Sequence, residues 1–223
     1  MNKNIFIACD TNNVSTAKNI IQFTRTKKLK IGYKFGLEFF SSKNGRSFIS
    51  KLNNKIIFAD LKLNDIPNTC VSTIKALKDL KLNYLTIHIS SGLEALKAVK
   101  KLSGKIKIVG VTTLTSLDNK SLKETGHKRN IKNLVSCQAR LATKAKLDGL
   151  VCSAQEVKIV KKIFKKEIIT PGIRLNDNKN DQKRITSPKN AFRNGSDWLV
   201  IGRSITKGNI KKNIQKLIDH LKE

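Results

Sequence analysis

Eight short runs of β-branched and aliphatic residues recur along this chain, with amphipathic stretches between them. That alternation limits the fold more than any other feature. The runs are "IFIAC" at 5–9, "KIGYKFG" at 30–36, "KIIFADLKL" at 55–63, "YLTIHIS" at 84–90, "IKIVGVTTL" at 106–114, "GLVCS" at 149–153, "EIITPGI" at 167–173 and "WLVIGR" at 198–203. Most are apolar nearly throughout, as expected of parallel strands covered on both faces. Between them lies helical spacing: Val14, Ala17, Ile20 and Ile21 share one face of the stretch 14–27. "GLEALKAVKKL", "AQEVKIVKKIFKK" and the closing "NIKKNIQKLIDHLKE" read the same way. Eight strand–helix units of about 28 residues predict a (β/α)8 TIM barrel of the α/β class, with 1–223 as a single domain. An open doubly wound sheet is the alternative, since local patterns do not report closure.

A barrel places functional groups at the C-terminal ends of its strands. Polar residues recur there: Asp10, Lys34, Asp60 and Lys62, His88, Thr115, Ser153, Arg174 and Arg203. In a strand, residues i and i+2 share a face, so Asp60 and Lys62 are expected to enter the barrel mouth together. Leu61 and Leu63 then turn the other way. Alone, the pair reads equally well as a buried ion pair that fixes register. With Asp65 and Lys34 it becomes an electrostatic array of two acids and two ammonium groups, able to hold a lysine charged and ready to donate a proton.

The loops after the seventh and eighth strands of barrels often bind phosphate. "TPGIRL" at 170–175 and "VIGRS" at 200–204 occupy those places. Arg174 and Arg203 can each form fork-like bonds to a phosphate, and Gly202 allows close backbone approach. The polar stretch 176–184 is expected to close over that phosphate. In "VTTLTS" at 111–116, Thr115 and Ser116 can hydrogen-bond a polar ring, though a simple Ser/Thr turn fits as well.

Composition narrows the class. The net charge of +29 raises nucleic-acid binding. However, the lysines are spread over most predicted helices, in the pattern left by a codon bias toward Lys, Asn and Ile. Aromatics are only 5% of residues, few for base stacking. Nucleic-acid contact is therefore expected to be nonspecific at most, while the positive field attracts anionic substrates. Cys9, Cys70, Cys137 and Cys152 show neither paired nor zinc-like spacing and are read as reduced and structural. His88, His127 and His220 form no metal triad, and no GxGxxG, Walker or HExxH motif is present. No run of apolar residues is long enough to span a bilayer, and the N-terminus turns polar early, so a cytoplasmic protein is expected.

Taken in order, "ACD", "YKFG", "DLKLNDIPNT", "VTTLTS", "DGLVCSAQE", "TPGIR", "DQKRITSP" and "GSDWLVIGR" resemble the orotidine 5′-phosphate decarboxylase family over nearly the whole chain. The resemblance implies a cofactor-independent conversion of orotidine 5′-monophosphate to UMP, with no metal. By the same resemblance, Lys62 protonates C6 of the pyrimidine, and Asp60 faces the substrate carboxylate and positions Lys62. Asp65 and Thr69 are donated across a homodimer interface, where Thr69 reaches the ribose 2′-hydroxyl. Asp10 and Lys34 hold the 3′-hydroxyl end of the ribose, and Thr115 reads the pyrimidine amide edge. Gln182, Gly202 and Arg203 clasp the phosphate, supported by Arg174. Three departures stand out: Cys9 where Leu is common, Ser204 where Pro is usual, and the loosely matched "HISSG" at 88–92. Two rivals remain at this stage. One is a magnesium-dependent enzyme of the related sugar-phosphate branch, such as hexulose-phosphate synthase or keto-gulonate-phosphate decarboxylase. The other is a basic nucleic-acid-binding protein on a barrel scaffold.

Overall fold

The computed structural model describes residues 3–175 and 185–222. Its eight strands are β1 (Asn4–Ala8), β2 (Lys30–Gly36), β3 (Ile56–Leu63), β4 (Tyr84–His88), β5 (Lys107–Val111), β6 (Gly149–Val151), β7 (Glu167–Thr170) and β8 (Trp198–Ile201). They pair in chain order, all parallel, and β8 also pairs with β1, with Asn4 opposite Trp198 and Ile7 opposite Ile201. The sheet is thus a closed barrel, and the open doubly wound alternative falls.

Helices fill the predicted places with shorter ends. The first spans Val14–Phe23, because the Asn13 side chain accepts the Thr16 N–H and fixes its start. Gly92–Leu102 forms as expected. The stretch 154–166 yields only Val157–Ile163, since residues 154–156 are spent on a turn in which the Glu156 N–H bonds the Ser153 carbonyl. Ile210–Lys222 closes the chain and buries Ile214, Leu217 and Ile218.

Strand alternation divides the core in two. Ile5, Ile7, Ile57, Leu85, Ile108 and Leu199 face the helices. Phe6, Phe58, Tyr84, Val109, Ile169 and Trp198 fill the barrel. Phe6 is central there: its ring stacks on Trp198 at 4.1 Å and tilts against Phe58 at 4.8 Å. Gly32 makes room for it, since a Cβ there would lie 2.6 Å from the Phe6 ring. Burying each such aromatic is worth about 1.5–3 kcal/mol.

The N-terminal end of the barrel is tied by a repeated device. Asn83, Asp148 and Asp197 each immediately precede an even-numbered strand. Their side chains accept the N–H of Ile57, Ile108 and Ile168 on the preceding odd strand, at 2.7, 2.9 and 2.7 Å. Lys100 and Lys161 neutralise the two aspartates. Beside them, Lys107 pairs with Glu167 at 2.6 Å. Burial, then the Glu167 carboxylate, push the Tyr84 phenol up to about 12. Among the described residues, no helix is long and apolar enough to cross a membrane.

Candidate active site

The C-terminal ends of the strands open into a cavity of 780 Å³. Asp10, Lys34, Asp60, Lys62, Thr115, Arg174, Gly202 and Arg203 all line it. Its size suits a small organic ligand with room for a polar tail.

At its floor four side chains form an unbroken charge chain. Lys34 Nζ lies 2.9 Å from Asp10 Oδ1 and 3.3 Å from Asp60 Oδ2. Lys62 Nζ lies 2.8 Å from the same Asp60 Oδ2. Side-chain exposure falls inward, from 58% at Asp10 and 35% at Lys62 to 12% at Asp60 and 11% at Lys34. At an effective dielectric near 20, each contact of Asp60 with an ammonium carries roughly 5–6 kcal/mol of gross attraction, before the cost of removing the ions from water. Burial works against the charge on Lys34, but Asp60 and Asp10 outweigh it and hold the ammonium above the usual lysine range. Burial likewise works against the charge on Asp60, but Lys34 and Lys62 hold its carboxyl below the usual range. Both shifts favour the ionised pair. His88, at the end of β4, goes the other way: burial, then the Lys62 charge, lower its imidazole below the ordinary value.

The route by which Lys62 reaches Asp60 differs from simple alternation. From Ala59 to Leu63, β3 advances four residues while its partner β4 advances only two, from Leu85 to Ile87. Within this irregularity Lys62 takes a left-handed backbone, φ 49°. Its N–H leaves the ladder and donates to Thr86 Oγ1 at 2.7 Å, and Thr86 Oγ1 donates to Asp60 Oδ1 at 3.1 Å. Thr86 is fully buried. Sequence reading missed it, because a threonine in "YLTIH" looks like any β-branched strand residue.

Two predicted residues stay out of the cavity. Asp65 and Thr69 are exposed, and Asp65 Oδ1 accepts the N–H of its own neighbour Ile66. In this chain, therefore, the array is closed by Asp10 rather than by Asp65. Ile66 between them is 65% exposed, a large apolar side chain turned to solvent.

On the β7–β8 side of the mouth, Gly172 adopts φ 77°, a conformation suited to glycine, and so turns the chain after β7. Arg174 follows, its N–H bonded to the Thr186 carbonyl at 3.0 Å. Arg203 opens a short helix, Arg203–Thr206, directly after Gly202. A Cβ on Gly202 would approach Ala8 and Asp10 at ordinary contact distances of 3.5 and 3.9 Å, so the glycine keeps the mouth open rather than relieving a clash. Gln182 and the rest of 176–184 lie outside the described residues. Ser116 is exposed and does not line the cavity.

Among the described residues, no three or more His, Cys, Asp or Glu side chains gather as a metal-binding group. None of the four cysteines is joined in a disulfide. Cys9 is wholly buried, and burial pushes its thiol up.

Residues 3–216 match the family model described as Orotidine 5′-phosphate decarboxylase / HUMPS family. The chain is 44% identical over 223 residues to an orotidine 5′-phosphate decarboxylase of Wolbachia sp. subsp. Brugia malayi (strain TRS), covering 96% of each chain. It is 40% identical over 218 residues to one from Carboxydothermus hydrogenoformans, covering 92% of this chain and 90% of the relative. The crystal structure of orotidine 5′-phosphate decarboxylase from Lactobacillus acidophilus superposes with a TM-score of 0.85 at 28% identity, covering 100% of both chains. The chain thus belongs to the orotidine 5′-phosphate decarboxylase / HUMPS family.

Proposed function

We propose that this chain decarboxylates orotidine 5′-monophosphate to UMP, the last step of pyrimidine nucleotide synthesis, without a cofactor. The observation that carries the reading is the Asp10–Lys34–Asp60–Lys62 chain at the floor of the cavity, in a protein of this family. Loss of carbon dioxide from an sp² ring carbon leaves an anion with little resonance relief. Fixed positive charge aimed at that carbon stabilises it, and an ammonium then supplies the proton. Lys62 fits this role: its side chain is partly open to the cavity and oriented by Asp60. Asp60 faces the substrate carboxylate, and Asp10 and Lys34 take the ribose 3′-hydroxyl end. Thr115 reads the pyrimidine edge. Gly202, Arg203 and Arg174 hold the phosphate, with Gln182 as a further phosphate ligand. Binding of that remote group then orients the ring over Lys62.

The active form is a homodimer. Asp65 and Thr69 do not serve their own cavity, and they flank the solvent-facing Ile66. In the dimer they enter the neighbour's site, where Asp65 extends the array and Thr69 meets the ribose 2′-hydroxyl. The protein works in the cytoplasm.

The deciding experiment is a spectrophotometric assay with orotidine 5′-monophosphate, with and without EDTA. Turnover that survives the chelator is expected. The family description also covers a second branch, and strict magnesium dependence with a sugar phosphate as substrate would favour that branch and refute the present reading.

A further inference from the structure

We infer that Thr86 is a positioning residue that sets the place of Lys62, a role that rests on the decarboxylase reading above. A threonine hydroxyl has one proton to give. Here Oγ1 accepts the Lys62 N–H at 2.7 Å, which leaves its own proton directed to Asp60 Oδ1 at 3.1 Å. The relay therefore has one direction: Lys62 N–H to Thr86, and Thr86 O–H to Asp60. The other carboxylate oxygen, Oδ2, remains for the ammonium groups of Lys34 and Lys62. Lys62 is thus tied to Asp60 twice, at its backbone through Thr86 and at its tip directly.

The tie has a reason in the backbone. The register shift between Ala59 and Leu63 takes the Lys62 amide out of the β3–β4 ladder, and φ 49° is unfavourable for a side chain other than glycine. Even a partly buried amide is costly to leave without a partner. Thr86 gives this one a partner and uses the same hydroxyl to orient Asp60. No other side chain in β4 makes both contacts: His88 stands at the strand end and Tyr84 lies in the aromatic layer below.

Thr86→Val keeps shape and removes the hydroxyl, while Thr86→Ser keeps the hydroxyl. Thr86→Val is expected to lower kcat about ten- to hundred-fold, the scale of a misplacement near 1 Å at a reacting group. KM should change by less than about three-fold, because the phosphate and ribose contacts lie elsewhere. Thr86→Ser should stay within about three-fold of wild type in kcat. If Val unfolds the barrel, Thr86→Ala against Thr86→Ser gives the same contrast, since the two differ by a hydroxyl alone. An unimpaired Thr86→Val, a loss confined to KM, or a Ser variant as poor as its hydroxyl-free counterpart overturns the role. A wild-type chain without activity on orotidine 5′-monophosphate overturns the decarboxylase reading instead, and this role with it.

Discussion

Lys62 combines an ammonium paired with Asp60, catalytic on the proposed function, with a costly backbone, and two substitutions separate the contributions. Lys62→Ala removes the ammonium and leaves a Cβ at φ 49°. Lys62→Gly removes the same ammonium and relieves the backbone. A left-handed conformation costs a non-glycine residue about 1–2 kcal/mol. Glycine's greater freedom in the unfolded chain returns about 0.4–1 kcal/mol of that. The net advantage of Gly over Ala is then about 0.5–1 kcal/mol, or about 1–4 °C in Tm for a chain of this size. Both variants lose the same contact to Asp60, and both keep Lys34 at 3.3 Å to hold that carboxylate, so the comparison isolates the backbone. Both should also be nearly inactive: loss of general-acid and electrostatic help lowers kcat by at least about 10⁴. Thermal unfolding of the two purified variants, together with turnover of orotidine 5′-monophosphate, tests this. A Gly variant no more stable than the Ala variant would remove the strain argument, and near-normal kcat in either would remove Lys62 from the chemistry.

Arg203→Ala should raise KM about 10- to 100-fold, the range of a lost charge-assisted contact, with a smaller effect on kcat; an unchanged KM contradicts the phosphate assignment. Mixed Lys62→Ala and Asp65→Ala chains should regain activity in hybrid dimers, because one composite site carries both native residues; no recovery despite proven subunit exchange speaks against a shared site. The pH dependence follows from the two buried ions. Asp60 is held below 3.8, so its contribution to stability is present above that value and lost as pH falls through the lower folded value. Lys34 is held above 10.5, so its contribution is present below that value and lost as pH rises through the higher folded one. The stability difference between wild type and Asp60→Asn should therefore be flat from about pH 5 to about pH 9, and a difference that fades inside that window refutes the assignment. Finally, kcat/KM should fall severalfold as ionic strength rises from about 0.01 to 0.1 M, where the screening length shortens from roughly 30 to 10 Å, while kcat holds; a flat kcat/KM argues against a steering role for the +29 charge.

The barrel and the Lys34–Asp60–Lys62 part of the charge chain were legible in the sequence for the same reason, whereas Asp10 was legible only as a polar strand-end residue. Strands covered on both faces must be apolar almost throughout, so a charged residue at the end of such a run stands out, as Asp10, Lys34, Asp60 and Lys62 do. What stayed hidden was set by contacts between distant residues. "FADLKL" carries no mark of the left-handed turn at Lys62, because the irregularity depends on how β3 registers against β4. Thr86 is a good strand former, and its place in the strand accounts for it without any appeal to function. Asn83, Asp148 and Asp197 precede strands and read as turn residues, yet each takes an N–H from a strand more than twenty residues earlier. Asp65 illustrates another limit: its spacing from Lys62 suggested one cluster, but the chain turns it to the outside. Its role, like that of Thr69, came only from the family resemblance.

The charge chain owes its strength to what lies beneath it. Lys34 pairs in register with Ala8 on one side and Phe58 on the other, and below them Phe6, Tyr84 and Trp198 fill the barrel. These side chains are apolar and buried, so the floor is a region of low polarisability in which fixed charges act strongly. Such a floor would expel a lone ion. It tolerates this set because two carboxylates and two ammonium groups cancel, and because the most buried member, Lys34, has a carboxylate on each side. Within a single chain, the neutrality of this set also separates two kinds of charge in the protein. The excess of basic residues sits outside the array and, on the proposed function, would act at long range on an anionic ligand, whereas the array would act only on the atoms directly above it. In the proposed reaction a bound carboxylate would disturb that balance next to Asp60, and its departure as neutral carbon dioxide would leave the ring carbon as a second partner for Lys62 beside Asp60. On this reading the aromatic layer contributes to catalysis as well as to folding, since a polar hole opened at Phe6 or Phe58 would weaken every interaction in the array at once.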